Sequence, residues 1–150
     1  MNNTIKNIGG KEKLVIAVTD SGLGGLNVVP RLEKLFSGSK AVKEVELIFV
    51  NALLHPSMGY NRMKNMDEKS MVFNSVLEGI NEWYSPDLLL IACNTLSVVY
   101  EHTKFNKNPL YPVIGIVDAG VDLLLEKMGD RNSIGIILGT PTTINGGAHK

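Results

Sequence analysis

The chain has 150 residues, 44% of them hydrophobic, with 15 basic and 15 acidic side chains and a formal net charge of zero. That apolar content without surplus charge excludes an intrinsically disordered chain, and the missing basic surplus argues against a nucleic-acid partner. The longest apolar runs, Leu88–Cys93 and Ile134–Gly139, are about six residues long, against the ~18 a bilayer-spanning helix needs, so no membrane partner is expected. The start Met1-Asn2-Asn3-Thr4 leads into no apolar signal stretch. The single cysteine, Cys93, excludes an intramolecular disulfide and argues against a cysteine-built metal site. His55, His102 and His149 are too scattered to form a metal cluster by spacing. These features predict a soluble chain of the reducing cytoplasm with no metal.

Residues 1–12 are polar and contain glycine, and read as a flexible lead-in. Leu14-Val15-Ile16-Ala17-Val18 is apolar on both faces, as a buried parallel strand is. Gly22, Gly24 and Gly25 follow, then a helical pattern of Leu26, Val29, Leu32, Leu35 and Phe36 that starts near Asn27, with Pro30 in its first turn. Val45–Val50 is the second strand, and an irregular segment follows over 51–65. Asp67 is a candidate cap for a helix bearing Met71, Val72, Val76, Leu77, Ile80 and Trp83, which Ser85-Pro86-Asp87 ends. Leu88–Ala92 is the third strand, with a helix from about Thr95 to Phe105 behind it. Val113–Val117 is the fourth, with Asp118 at its end and a helix through Val121, Leu124, Leu125 and Met128. Ile134–Leu138 is the fifth, ending at Gly139-Thr140.

Strands alternating with helices predict an α/β fold of flavodoxin-like type, a parallel sheet with helices on both faces. In such sheets ligands sit beyond the carboxyl ends of the strands. Asp20-Ser21, Asn51, Cys93-Asn94-Thr95, Asp118 and Gly139-Thr140 all belong at that edge.

Cys93 has a bland reading, since free cysteine is among the most buried residue types. Its place at a strand-to-helix turn points instead to a thiolate, able to act as nucleophile or carbon-acid base. The turn Asp20-Ser21-Gly22-Leu23-Gly24-Gly25-Leu26 is not a dinucleotide loop, because Asn27 stands where the third glycine would be. Its glycines read as suppliers of positive φ. Its backbone N–H groups read equally as an anion cradle, and Asp20 as either a site residue or a cap.

The turn at 20–26, Ala92-Cys93-Asn94-Thr95, Pro112-Val113-Ile114-Gly115-Ile116 and the stretch from Ile134 through Gly139-Thr140 and Thr143 together resemble the glutamate racemases of the aspartate/glutamate racemase superfamily. The resemblance covers residues 13–150. It implies cofactor-independent inversion at the α-carbon of glutamate, with one cysteine on each side of the substrate, to supply D-glutamate for peptidoglycan. Carried over by motif, Cys93 is one of these bases and Asp20 assists its proton. Ser21, Asn94, Thr95 and Thr143 hold substrate, with Gly59 and Tyr60 carried over from a Pro-Tyr-Gly loop that here reads Pro56-Ser57-Met58-Gly59-Tyr60. Asp118 stands where the family shows a glutamate. The expected organisation is a first domain over 13–106 and the beginning of a second, pseudo-symmetric one over 107–150, in a chain that lacks the family's second, Cys-Thr-His cysteine. The partner implied is the small molecule glutamate, and a homodimer is compatible with the pattern. Two other classes fit the same residues: a non-catalytic α/β domain binding a small acidic metabolite, and a one-base member of the superfamily.

Overall fold

A computed structural model describes residues 11–38, 42–55, 57–129 and 134–147. The expected lead-in lies almost wholly outside them. Four strands, β1 (Lys13–Asp20), β2 (Glu44–Asn51), β3 (Leu88–Ile91) and β4 (Val113–Gly115), form one all-parallel sheet in the order β2-β1-β3-β4. The helices are α1 (Val28–Ser37), α2 (Met66–Tyr84), α3 (Asn94–Tyr100), α4 (Ile116–Met128) and α5 (Pro141–Gly146).

The strand order decides where the helices go. The chain moves one way from β1 to β2, then crosses back over β1 to reach β3 and continues to β4. Right-handed crossovers therefore put α1 on one face and α2 and α3 on the other. The larger core lies under α2 and α3: Ala17, Leu89 and Ile91 from the sheet pack with Phe73, Leu77, Ile80, Leu96 and Val99. Leu14, Ile16 and Val18 alternate with Ala17 along β1 and are also buried, so this central strand is apolar on both sides.

Three expectations are corrected here. Ile134–Leu138 is not a fifth strand: it pairs with no strand among the described residues, and Ile134, Ile136 and Leu138 are 91%, 83% and 91% exposed. An apolar run becomes a strand only where a neighbour accepts its backbone groups, and none is present at that edge. The cap of α2 is Asn65, not Asp67. Asn65 Oδ1 accepts the Glu68 N–H at 2.9 Å, while Glu68 Oε2 accepts the Lys64 N–H at 2.7 Å. Asp67 and Glu68 instead sit in the first turn, where negative charge suits the helix dipole. The helix after β3 is shorter than expected; α3 ends at Tyr100, and a separate 3-10 turn covers Phe105–Lys107.

Register brings the strand ends level. Asp20 lies opposite Asn51, Thr19 opposite Ile91, and Ile91 opposite Gly115. Two further bonds extend the ladder beyond the strands: Ala92 N–H donates to Thr19 at 2.9 Å, and Ala52 N–H to Asp20 at 2.7 Å.

Candidate active site

At the carboxyl edge, the turn after β1 and the turn after β3 touch. Ser21 Oγ lies 3.3 Å from Cys93 Sγ, hydrogen-bonded across 72 positions of sequence. Cys93 is half-buried, in extended geometry just before α3, with its inner side against the α2/α3 core. Asn94 opens α3 and is exposed.

Asp20 is 8% exposed and holds its own turn. Its Oδ1 accepts the Gly22 N–H at 3.1 Å and its Oδ2 the Gly25 N–H at 2.5 Å. The cap reading and the site reading thus meet in one residue beside Ser21. The glycines work differently from expectation. Among the described glycines only Gly129 and Gly147 have positive φ, so Gly22, Gly24 and Gly25 supply none. Gly25 is required by close approach instead: a Cβ there would stand 2.8 Å from Ala92 Cβ and 3.0 Å from Asp20 Cβ. The turn must press against the strand that carries Cys93, and only glycine lets it.

A second polar group flanks the first. Thr95 Oγ1 is 2.9 Å from Thr140 Oγ1 and 3.2 Å from Thr143 Oγ1, and the latter two are 3.0 Å apart. Thr140 also caps α5 through the Thr143 N–H at 3.3 Å, with Pro141 at the first helical position. Thr95 and Thr143 are 5% and 2% exposed, so their hydroxyls face this triangle. Thr140 is half-exposed and forms its open corner. The neighbouring Thr142 of α5 is tied down separately: Lys69 donates to Thr142 Oγ1 at 2.7 Å, while Thr142 donates to Asn61 Oδ1 at 3.2 Å. Thr140 was expected at this edge, whereas Lys69, Thr142 and Asn61 were not singled out in the sequence. Thr140-Pro141-x-Thr143 was a readable cap signature, whereas Lys69 and Asn61 carry no local signal.

Tyr60, Gly59 and Asp118 make none of these hydrogen bonds. Tyr60 is 2% exposed, and its hydroxyl donates to the Ala52 carbonyl at 3.2 Å. Burial, and secondarily the negative charge of a Cys93 thiolate, push the Tyr60 phenol well up, so it stays neutral behind the thiol. Gly59 precedes it on the loop, half-exposed, beside Leu53. Asp118 is not at a strand end, because β4 stops at Gly115. It is exposed in the first turn of α4 and lines a groove with Tyr100, Glu101 and Asn106. No group of three His, Cys, Asp or Glu side chains among the described residues is arranged to hold a metal ion. No helix among them is long and apolar enough to cross a membrane.

The fold and this edge define a flavodoxin-like α/β domain with a thiol-and-hydroxyl cluster at the carboxyl ends of its strands. Comparison narrows the class. The chain is 30% identical over 133 residues to the glutamate racemase of Campylobacter jejuni, covering 86% of this chain and 47% of that protein. It is 34% identical over 138 residues to the glutamate racemase of Syntrophus aciditrophicus, covering 89% and 45%. The crystal structure of the Campylobacter jejuni glutamate racemase superposes with a TM-score of 0.73 at 26% identity, over 91% of this chain and 50% of that one. A glutamate racemase from Francisella tularensis, solved in complex with D-glutamate, superposes with a TM-score of 0.66 at 26% identity, over 91% and 46%. No protein-family model matches the sequence. The chain therefore resembles glutamate racemases in sequence and in fold, and it spans about half the length of the relatives it matches.

Proposed function

We propose that the chain supplies one base and one wall of a cofactor-independent glutamate racemase, acting in the cytoplasm to provide D-glutamate for peptidoglycan. The observation that carries this reading is the 3.3 Å contact between Cys93 and Ser21, which joins the two most specific motifs at a ligand-binding edge. The Cys93 thiolate takes the α-proton. The Cα–H bond breaks, an S–H bond forms, and the electron pair moves into the α-carboxylate. Hydrogen-bond donors aimed at that carboxylate stabilise the charge as it develops, the role of the Ser21 hydroxyl and the Asn94 amide in this reading. Asp20 orders the turn that presents Ser21 and assists the thiol's proton. Thr95, Thr140 and Thr143 form the polar wall beside them. Inversion then needs an acid on the opposite face of the carbon, and Cys93 is the one cysteine in this sequence. In this reading residues 13–106 are the major part of a first domain and 107–150 lead towards a second.

Protection of Cys93 from alkylation tests the reading. Millimolar L- or D-glutamate should slow iodoacetamide modification of Cys93, while L-lysine at the same concentration should not. Equal rates with and without either glutamate enantiomer would refute it.

A further inference from the structure

Ser97 takes no part in the chemistry above, yet it is tied to Cys93 more closely than any helical residue needs to be. It is 8% exposed, in α3, one turn after the thiol. Its amide donates to the Cys93 carbonyl at 2.9 Å, the ordinary helical bond. Its hydroxyl donates to the same carbonyl, also at 2.9 Å. That hydroxyl in turn accepts the N–H of Ile116, the first residue of α4, at 3.1 Å. A helix's first amides have no partner inside the helix, so Ser97 satisfies one of them from a neighbouring element. Gly115 makes room for this: a Cβ there would lie 2.9 Å from Ser97 Oγ.

We propose that Ser97 is the positioning residue for Cys93. A serine that merely bonds back to its own helix leaves its acceptor capacity unused and slightly weakens the helix. Here donor and acceptor are both used, and they link the end of β3, α3 and the β4–α4 junction through one atom. The Cys93 carbonyl is held from two directions, which fixes the peptide leaving Cys93. Without that anchor the Cys93 backbone, and with it the Cβ that carries Sγ, is free to shift relative to Ser21. Ser97 therefore keeps the thiol at Ser21 without touching substrate. The proposal rests on the reading of Cys93 as the reactive thiol, but its test needs no glutamate, so the two can fail separately.

The test is the iodoacetamide rate of Cys93 at fixed pH in four variants of the full chain. Ser97→Ala should change the rate about threefold or more, the scale of one lost hydrogen bond. Ser21→Ala should change it in the same direction. The double variant should match Ser21→Ala alone, because Ser97 acts only through the contact that Ser21 makes. Ser97→Thr should return the rate to within about twofold of the parent, since a helical threonine hydroxyl also reaches the i−4 carbonyl. A parental rate in Ser97→Ala, or effects that simply multiply in the double variant, would overturn the proposal. Should Ser97→Ala not fold, hydrogen exchange on the unsubstituted chain still decides: the Ile116 amide should be protected, and exchange at the rate of a free amide overturns the assignment.

Discussion

The close approach at Gly25 makes the sharpest stability prediction. Gly25→Ala places a methyl 2.8 Å from Ala92 Cβ and 3.0 Å from Asp20 Cβ, where neither neighbour is a flexible chain end. Overpacking of this kind costs about 1–3 kcal/mol. Displacing Asp20 also weakens the bond from the Gly25 N–H, and a hydrogen bond to a charged group contributes about 1.5–3 kcal/mol. Replacing glycine narrows the unfolded ensemble and returns about 0.4–1 kcal/mol. The net loss is about 2–4 kcal/mol, a large share of the ~5–15 kcal/mol that holds a domain together. With a urea slope of about 2 kcal/mol per molar, the unfolding midpoint followed by far-ultraviolet circular dichroism should fall by about 1–2 M. Gly22→Ala is the control: nothing lies within 4 Å of a Cβ there, so its midpoint should hold or rise slightly. A Gly25→Ala midpoint within about 0.3 M of the parent, or an equal loss in Gly22→Ala, would refute the close-approach argument.

Cys93→Ser should remove iodoacetamide labelling and any α-deuteration of glutamate while costing less than about 1 kcal/mol of stability, since the site is half-buried and the change small. Deuteration at the parental rate in that variant would exclude Cys93 as the base. Tyr60→Phe should cost about 0.5–1.5 kcal/mol in urea unfolding, because the buried Ala52 carbonyl loses its donor, yet leave glutamate protection of Cys93 unchanged. Loss of that protection would return the Tyr60 hydroxyl to the site. At Asp87, burial alone would raise the carboxyl, but the Lys11 ammonium and the Val15 N–H outweigh it and hold the group below the usual carboxylate range. A depressed folded value stabilises the fold above the unfolded carboxyl pKa of ~3.9 and ceases to do so as pH falls through the folded value. The stability gap between parent and Asp87→Asn should therefore be full at neutral pH and close in acid. A gap that widens in acid would reverse the sign.

What the sequence showed and hid divides along physical lines. β1 and β3 were legible because strands buried on both faces must be continuously apolar, and Leu14–Val18 and Leu88–Ala92 are. The meeting of Asp20-Ser21 with Cys93 followed from parallel strands ending at one edge, a consequence of topology that needs no distances. Ile134–Leu138 is an apolar, β-branched run like the other strand candidates and is no strand, because pairing depends on a neighbour that composition does not report. The glycines at 22–25 were found but misread: glycine answers either to backbone angle or to crowding, and only coordinates tell which. Ser97, Lys69 and Asn61 were missed because a serine, lysine or asparagine on a helix or loop has a solvated explanation until its partner is known. Tyr60 was placed by motif, yet the fold turns its hydroxyl onto Ala52.

The arrangement of the edge leads to a final prediction, that the chain alone exchanges no L- for D-glutamate. Ser21, Asn94 and Cys93 all rise from adjoining strand ends, so a substrate held there presents one face of its α-carbon to the thiol. Inversion requires a proton from the other face, and a single base cannot serve both sides without a large movement. The exposed rim also leaves the edge open to water, which weakens the stabilisation of carbanionic charge that deprotonation depends on. Each enantiomer incubated with the purified chain in heavy water, and followed by proton NMR and chiral chromatography, should keep its configuration. Deuterium entering one enantiomer with retained configuration would fit a one-sided base. Inversion would break the argument, and its dependence on concentration would locate the second base: a rate per chain that rises with chain concentration places it on a second copy, and a constant one places it within the same chain.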